Sequence, residues 1–134
     1  MNFNDLSITF HTYKIVECKN FYEKYFDTKL TFDCAWYVSI QLKSLAKPDI
    51  FLSFMEPRTP DTKVATGGVT LNLLVEDVNT EYEKLKQTDI TIVDEIADHD
   101  WGDRSFTVND PIGNTLYIYS VREMTTEYQN AVTQ

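Results

Sequence analysis

The chain has 134 residues, of which 43% are hydrophobic, and its 12 basic and 21 acidic residues give a net charge of −9. This length suits one ordinary domain with its own hydrophobic core. The negative charge repels nucleic acid phosphates and anionic membrane surfaces, so we expect neither as a partner. No window approaches the roughly 18 uninterrupted apolar residues of a membrane span, and the N-terminal MNFNDLSITF lacks a secretory signal pattern. We therefore expect a cytoplasmic protein.

The first half of the chain predicts the element order βαβββ. LSITFHTY, residues 6–13, has apolar side chains at every second position, which is typical of a strand. IVECKNFYEKYF, residues 15–26, has apolar residues three and four apart, which predicts an amphipathic helix. Three strand candidates follow, LTFDC, WYVSIQL and DIFLSFM. KSLAKPD, which contains Pro48, is predicted to form the turn before the last strand.

The second half predicts the same order after a proline- and glycine-containing segment, residues 57–68, that we interpret as a linker. VTLNLLV is a strand, DVNTEYEKLKQ an amphipathic helix, and ITIVDEI, RSFTV and TLYIYSV are strands. We therefore divide residues 1–134 into a module at 5–56, the linker, a module at 69–121 and a tail at 122–134. Within the tail, the four-residue spacing of Met124, Tyr128 and Val132 favours a short helix.

The two halves also share short stretches of similar sequence. FYEKYFDTKLTF, residues 21–32, aligns with EYEKLKQTDITI, residues 81–92, at an offset of 60, and the preceding strands align at an offset of 63. A repeated βαβββ unit predicts an α+β fold made of two modules. Since one face of each sheet would otherwise stay in water, we expect the modules to pair and to leave a cleft.

The segment DPIGN, residues 110–114, predicts a tight turn between the last two strands. Asp110 and Pro111 suit the first two turn positions, Gly113 can adopt positive φ, and Asn114 tolerates the same region. Just before this strand pair, Gly102 follows Trp101, where a glycine allows the backbone to approach a ligand or a neighbouring loop.

Three segments, in this order and spacing, resemble the vicinal oxygen chelate superfamily, also called the glyoxalase, bleomycin resistance and extradiol dioxygenase superfamily. They are FYEKYF at 21–26, VEDVNTEYEKL at 75–85 and WGDRSFTVNDPIGNTLYIY at 101–119. The last is similar to the family pattern W-G-x-R-x-F-x-x-x-D-P-x-G-N, and the resemblance covers residues 6–120. It implies two βαβββ modules that form a cupped mixed sheet, and a homodimer in which the partner completes the ligand cleft.

The resemblance also assigns positions to metal ligands, which in metal-dependent members are His, Gln or Glu. The matching positions here are Ser7, Thr70 and Tyr117, and a fourth falls on one of residues 52–54, where the register is uncertain. None of these residues is a strong ligand for a divalent ion. We therefore expect no metal or other cofactor. The sequence contains no local signature of nucleophilic catalysis, so we assign no catalytic residue.

Aromatic residues near the expected cleft are candidates for stacking on a ligand. Arg104 is either an anchor for a ligand carboxylate or phosphate, or a structural partner of Asp103 or Asp110. The acidic segment 94–103 is interpreted either as a solvated loop or as a negative rim that attracts cations. The candidate ligand-binding residues are His11, Trp36, Phe54, Asn72, Trp101, Arg104, Phe106, Tyr117 and Tyr119.

These observations favour a metal-independent protein that sequesters a small cationic or aromatic molecule, as bleomycin resistance proteins of this superfamily do. Cation–π contacts with the aromatic residues would contribute about 0.5 to 2 kcal/mol each. One alternative is a metal-dependent lyase, isomerase or dioxygenase of the glyoxalase type that uses His11 and nearby acids. A second alternative is a regulatory or interaction domain without a small ligand.

Overall fold

The computed structural model describes residues 1–44 and 50–133, and the chain divides into two compact units, Met1–Thr66 and Gly67–Gln134. Most of the turn predicted for KSLAKPD, including Pro48, lies outside the described residues. Within those residues, no helix is long and apolar enough to cross a membrane.

The first unit contains one helix and a four-stranded sheet. The sheet has the order β1-β4-β3-β2, in which β1 runs parallel to β4 and the other neighbours are antiparallel. This is the predicted βαβββ order. The elements are β1 Ile8–His11, α1 Ile15–Tyr25, β2 Thr28–Cys34, β3 Tyr37–Leu42 and β4 Ile50–Met55.

The second unit repeats this arrangement. Its sheet has the order β5-β8-β7-β6, again with the first strand parallel to the last and the other pairs antiparallel. The predicted α+β fold of two βαβββ modules is confirmed. The elements are β5 Thr70–Leu74, α2 Val78–Lys86, β6 Ile92–His99, β7 Asp103–Asn109, β8 Thr115–Val121 and a short α3 Thr126–Gln129.

The core of the first unit lies between α1 and one face of its sheet. The predicted apolar stripe is buried at Ile15, Cys18 and Tyr22. The Tyr22 ring lies 5.7 Å from the ring of Phe54, which in turn stacks on Phe10 at 5.8 Å. Fully burying side chains of this size stabilises the fold by about 1.5 to 3 kcal/mol each.

The core of the second unit is built in the same way, with α2 on one face of the sheet. Asp77 caps the helix by accepting hydrogen bonds from the backbone N–H groups of Asn79 and Thr80. The predicted stripe is buried at all three positions, Val78, Tyr82 and Leu85. Tyr82 meets the buried ring of Phe106 edge to face at 5.1 Å.

Each sheet therefore has a second face that its helix does not cover, and we call it the helix-free face. Side chains alternate across a strand, so the neighbours of core residues lie on this face. In the first unit, Ser53 lies between buried Leu52 and Phe54. In the second, Tyr117 lies between buried Leu116 and Ile118.

The acidic segment 94–103 is largely strand and not a loop, although Asp94, Glu95, Asp98 and Asp100 are exposed, as expected of a solvated segment. Strand β6 continues through it to His99 and pairs with β7, and Asp103 is only 7% exposed. Two irregularities in the β6–β7 register, between Ile92 and Asp94 and between Asp94 and Ala97, break the two-residue period. The bulges shift side chains from one face to the other, while the strand predicted for ITIVDEI is confirmed as part of β6.

The tail packs on the turn between β6 and β7. The backbone N–H of Arg122 donates to the carbonyl oxygen of Gly102 at 2.8 Å, and that of Thr125 donates to the carbonyl of Asp100 at 3.0 Å. Gly102 has φ of +106°, and a Cβ at this residue would lie 3.3 Å from the Arg122 carbonyl oxygen. The close approach that Gly102 allows is therefore to the tail. Of Met124, Tyr128 and Val132, on which the tail helix was predicted, only Tyr128 lies in the short α3.

The turn DPIGN forms as predicted, and Asp110 organises it. Its carboxylate accepts hydrogen bonds from the backbone N–H groups of Ile112 at 3.1 Å and Asn114 at 2.9 Å, and from the Asn114 side-chain amide at 2.9 Å. Both residues are buried, and Gly113 has φ of +83°. The turn fixes the register of β7 against β8, and hence which residues share the helix-free face.

We predict that Asp110→Ala lowers the free energy of unfolding by about 2 to 3 kcal/mol, because three donors in a buried turn lose their charged acceptor. Urea denaturation followed by circular dichroism measures this change. Asn109→Ala, at the exposed neighbouring residue, is the matched control and should change stability by less than about 0.5 kcal/mol. Equal effects of the two substitutions would contradict the assigned role of Asp110.

Candidate ligand-binding surfaces

The helix-free face of the first unit contains a shallow cavity of about 410 Å³. None of its lining side chains carries a charge, and the lining combines aromatic rings with hydroxyl groups. This composition suits an uncharged or weakly polar group of a ligand. The lining residues are Ser7, Thr31, Phe32, Tyr37, Ser39, Phe51 and Ser53.

The hydroxyl groups in this cavity form a directed chain of hydrogen bonds. The Tyr37 hydroxyl donates to Ser53 Oγ at 2.8 Å, and Ser53 Oγ donates to Ser39 Oγ at 3.1 Å. Ser53 is only 4% exposed, so the chain holds its hydroxyl in place. The hydroxyl of Ser39, at the end of the chain, can donate a hydrogen bond to a ligand acceptor.

Exposed aromatic rings adjoin Tyr37 in the first unit. Phe32 and Trp36 lie edge to face with it at 5.5 and 5.9 Å, and they are 54% and 41% exposed. The guanidinium of Arg58 lies over the Trp36 ring, 4.2 Å from its centroid. Trp36 therefore already binds a cation of its own chain through a cation–π contact.

The helix-free face of the second unit carries a cluster around Asp103, which we call the Asp103 cluster and define as His99, Trp101, Asp103 and Tyr117. The Asp103 carboxylate accepts hydrogen bonds from Trp101 Nε1 at 2.9 Å and from the Tyr117 hydroxyl at 2.9 and 3.0 Å. His99 Nδ1 lies 3.0 Å from the carboxylate oxygen Oδ1 of Asp103. With these partners a carboxylate can be buried without a lysine or arginine beside it.

Stacking completes the cluster. The imidazole of His99 lies parallel to the indole of Trp101, with centroids 4.3 Å apart and an angle of 9° between the rings. Tyr128 of α3 meets the same indole edge to face at 6.3 Å. Tyr119, the next residue of β8 on this face, lies 5.9 Å from the ring of Tyr117. The cluster and its neighbours Tyr119 and Tyr128 therefore combine one carboxylate with four aromatic rings and an imidazole.

The electrostatic environment keeps the Tyr117 phenol neutral. Burial raises its pKa above the ordinary value of 10.0, and the neighbouring Asp103 carboxylate acts in the same direction, whereas hydrogen bonds with Ser105 and Trp101 lower it. A neutral phenol is the form that can donate to Asp103. The raised pKa of Tyr117 is therefore consistent with the hydrogen bonds that its phenol donates to Asp103.

The positions that the resemblance assigns to metal ligands do not fit a divalent ion. The fourth of these positions, which the sequence left open among residues 52–54, corresponds to Ser53, because Leu52 and Phe54 are buried on the α1 side of the sheet. Ser53 and Tyr117 supply neutral hydroxyls that are already hydrogen-bonded, and Ser7 and Thr70 supply no carboxylate or imidazole. In residues 1–44 and 50–133, no group of three or more His, Cys, Asp or Glu side chains is arranged to hold a metal.

Four of the predicted ligand-binding residues lie together in the second unit. Trp101 and Tyr117 belong to the Asp103 cluster, and Tyr119 contacts Tyr117. Asn72 pairs with Tyr117 in the register of β5 and β8 and is exposed. These residues form one surface on the helix-free face.

Two other predicted residues lie in the first unit outside its core. His11 pairs with Met55 in the register of β1 and β4, and its Nδ1 is buried without a hydrogen-bond partner in the described residues. Trp36 is exposed and carries the Arg58 guanidinium. Neither residue lines the cavity of the first unit.

The remaining three predicted residues lie on the other side of their sheets. Phe54 and Phe106 are 0% and 1% exposed and pack against Tyr22 and Tyr82 of the two helices. Their rings have no surface on which a ligand can stack, so we leave them out of the proposed site. The sequence does not separate pocket from core aromatics because both types occupy similar strands.

Arg104 also faces α2. Its Nε donates to the side-chain oxygen of Asn79 at 2.8 Å, and its Nη1 lies 3.3 Å from Asp98. Of the two alternatives that we considered, a ligand anchor and a structural partner of Asp103 or Asp110, these contacts favour a structural role, but with Asn79 and Asp98 as the partners. It is a structural residue on the helix side of β7.

The centre of the second surface is absent from the predicted ligand-binding residues. Asp103 and His99 were considered only as part of the segment 94–103, interpreted either as a solvated loop or as a negative rim, although both are in the cluster. The predicted residues also omit most of the first cavity, including Phe32, Tyr37 and Ser39. Alternation with the buried Val38 and Ile40 would have placed Tyr37 and Ser39 on one face, but only the fold identifies that face as helix-free.

Comparisons with known proteins agree with this architecture. Residues 6–123 match the family model described as a glyoxalase-like domain. The chain belongs to the glyoxalase-like domain family. This membership and the fold place it in the vicinal oxygen chelate superfamily, as the resemblance implied. No curated protein sequence gives a match.

Several solved structures share the fold at low sequence identity. A glyoxalase/bleomycin resistance protein/dioxygenase from Nocardioides has a TM-score of 0.73 and 14% identity, over 92% of this chain and 87% of that chain. A lactoylglutathione lyase from Agrobacterium tumefaciens has a TM-score of 0.68 and 14% identity, over 89% of this chain and 95% of that chain. TnmS3, an antibiotic binding protein from Streptomyces sp. CB03234, has a TM-score of 0.66 and 18% identity, over 90% of this chain and 98% of that chain.

We predict that the phenol of Tyr117 titrates above the ordinary tyrosine range. The chain has eight tyrosines, so the difference between wild type and Tyr117→Phe in absorbance at 295 nm isolates this residue. Because the pKa is raised in the folded state, its contribution to stability is present below the ordinary pKa of 10.0 and is lost as the pH rises through the raised pKa. A difference titration centred at or below 10.0 would contradict the assigned environment.

Proposed function

We propose that this protein binds and sequesters a planar, positively charged organic molecule without using a metal ion. The proposed site is the helix-free face of the second unit, formed by the Asp103 cluster together with Tyr119. The observation that carries the proposal is a buried carboxylate that lies among aromatic rings and takes its hydrogen bonds from neutral groups.

The aromatic rings supply the flat contact surface. Trp101 is 46% exposed, and Tyr117 and Tyr119 are half-buried, so part of each ring is accessible to a ligand. Cation–π contacts with such rings contribute about 0.5 to 2 kcal/mol each. The Arg58 guanidinium over Trp36 in the first unit is an example of this contact in the same chain.

Charge favours a cation over a neutral or anionic molecule. Asp103 accepts hydrogen bonds from an indole and a phenol and contacts the imidazole of His99, and none of these partners is a lysine or an arginine with a permanent positive charge. The net charge of −9 adds a long-range attraction for cations. The structural similarity to TnmS3, an antibiotic binding protein, supports a binding role for this fold.

A metal-dependent lyase, isomerase or dioxygenase, our first alternative, requires strong donors at positions that hold Ser53 and Tyr117 here. No observation favours it over binding. A regulatory or interaction domain without a small ligand, our second alternative, predicts that no aromatic cation binds. The homodimer implied by the resemblance stays a prediction, which light scattering would check.

We predict that 2-naphthylmethylammonium binds the protein and that the uncharged 2-naphthylmethanol binds at least roughly threefold more weakly, since it lacks the cation–π and carboxylate interactions. Isothermal titration calorimetry measures both affinities. The difference should shrink as salt approaches about 1 M, where the Debye length is about 3 Å.

Trp101→Leu should weaken binding of the ammonium compound, because it removes the most exposed ring of the site. Tyr13→Leu is the matched control, since Tyr13 is a 66% exposed aromatic residue of the first unit. Melting temperatures without ligand establish that both variants fold. Failure of the wild type to bind either naphthyl compound, or equal losses in both variants, would reject the proposed site.

A further inference from the structure

We infer that His99 is a hydrogen-bond acceptor that restricts the ligand to cations carrying N–H groups, such as primary or secondary ammonium ions, and discriminates against quaternary ammonium ions. This inference rests on the proposed function and specifies the class of cation. It depends on the nitrogen of the imidazole that the protein itself does not use.

The contact with Asp103 determines which nitrogen of the neutral imidazole carries the hydrogen. His99 Nδ1 lies 3.0 Å from Asp103 Oδ1, and an ionised carboxylate can only accept. Nδ1 is therefore the donor, and Nε2 keeps its lone pair. Ser105 Oγ lies 3.2 Å from the same Nδ1, so it does not occupy Nε2.

The ring is also held in position. Parallel stacking on Trp101, at 4.3 Å and 9°, fixes the plane of the imidazole, and the Asp103 contact fixes its rotation. The His99 side chain is 27% exposed, and no hydrogen bond to its Nε2 occurs within the residues that the structure describes. An oriented acceptor is therefore available beside the carboxylate.

A cation that binds at Trp101 has its charge close to both groups. An ammonium with N–H groups can donate to Nε2 while it is attracted by Asp103. A trimethylammonium group retains the charge and the cation–π contact but has nothing to donate, and it would leave Nε2 without water or a partner. Such a loss amounts to about tenfold in affinity, which corresponds to about 1.4 kcal/mol.

The test compares two monocations with the same naphthalene ring, 2-naphthylmethylammonium and its N,N,N-trimethyl derivative. Calorimetric titrations in slightly alkaline buffer measure both dissociation constants. For the wild type we expect the primary ammonium to bind about tenfold more tightly. Equal affinities, or tighter binding of the quaternary ion, would overturn the inference and leave the proposed function intact.

The variant His99→Asn isolates the acceptor. The Asn side-chain amide can still donate to Asp103 in place of Nδ1, but it has no group at the position of Nε2. We expect the affinity ratio to fall to about one through weaker binding of the primary ammonium. A merely structural role of His99 predicts that both ions lose affinity equally, and that result would overturn the inference. His11→Asn, at the other histidine, should keep the ratio.

Nitrogen-15 NMR of labelled histidine gives an independent readout. In the same buffer His99 should show a protonated Nδ1 and an unprotonated Nε2, and only the primary ammonium should shift the Nε2 resonance in the direction of an accepted hydrogen bond. The opposite tautomer, or equal shifts with both ions, would overturn the inference. Absence of binding by both ions would instead reject the proposed function itself.

Discussion

The strand period of two, combined with one helix for each sheet, is the constraint on which the rest of the structure depends. The helix covers one face, so Phe54 and Phe106 become core, and the residues beside them are turned to the other face. Any group on the helix-free face must either be solvated or find partners there. The hydroxyl chain of the first unit and the Asp103 cluster of the second unit are two solutions to this requirement.

The two solutions differ in charge. Ser39, Ser53 and Tyr37 satisfy one another with hydroxyls alone, whereas Asp103 retains a carboxylate that indole and phenol groups solvate. A buried carboxylate costs free energy unless it is hydrogen-bonded, and here each donor is itself part of the surface. The residues that stabilise the charge are therefore also those that would contact a ligand.

Much of the fold follows from local patterns. The stripe of Val78, Tyr82 and Leu85 predicts α2 because helical spacing places these residues on one side, and all three are buried. The turn at Asp110–Asn114 follows from the conformational preferences of its own residues. The candidate site is harder to predict. Asp103 stands one residue before RSFTV, the predicted extent of β7, and no local pattern shows that its carboxylate is buried among His99, Trp101 and Tyr117.

By itself the sequence determined the two βαβββ modules, the family resemblance and the absence of strong donors at the family's metal positions, because these depend on residue types and their spacing. The tertiary structure alone decided which aromatics are core and which are accessible, that Arg104 belongs to the helix side, and that His99, Trp101 and Tyr117 meet at Asp103. The reason is physical: cross-strand register and helix placement bring together residues that are distant or differently patterned in the chain, and no local period records them.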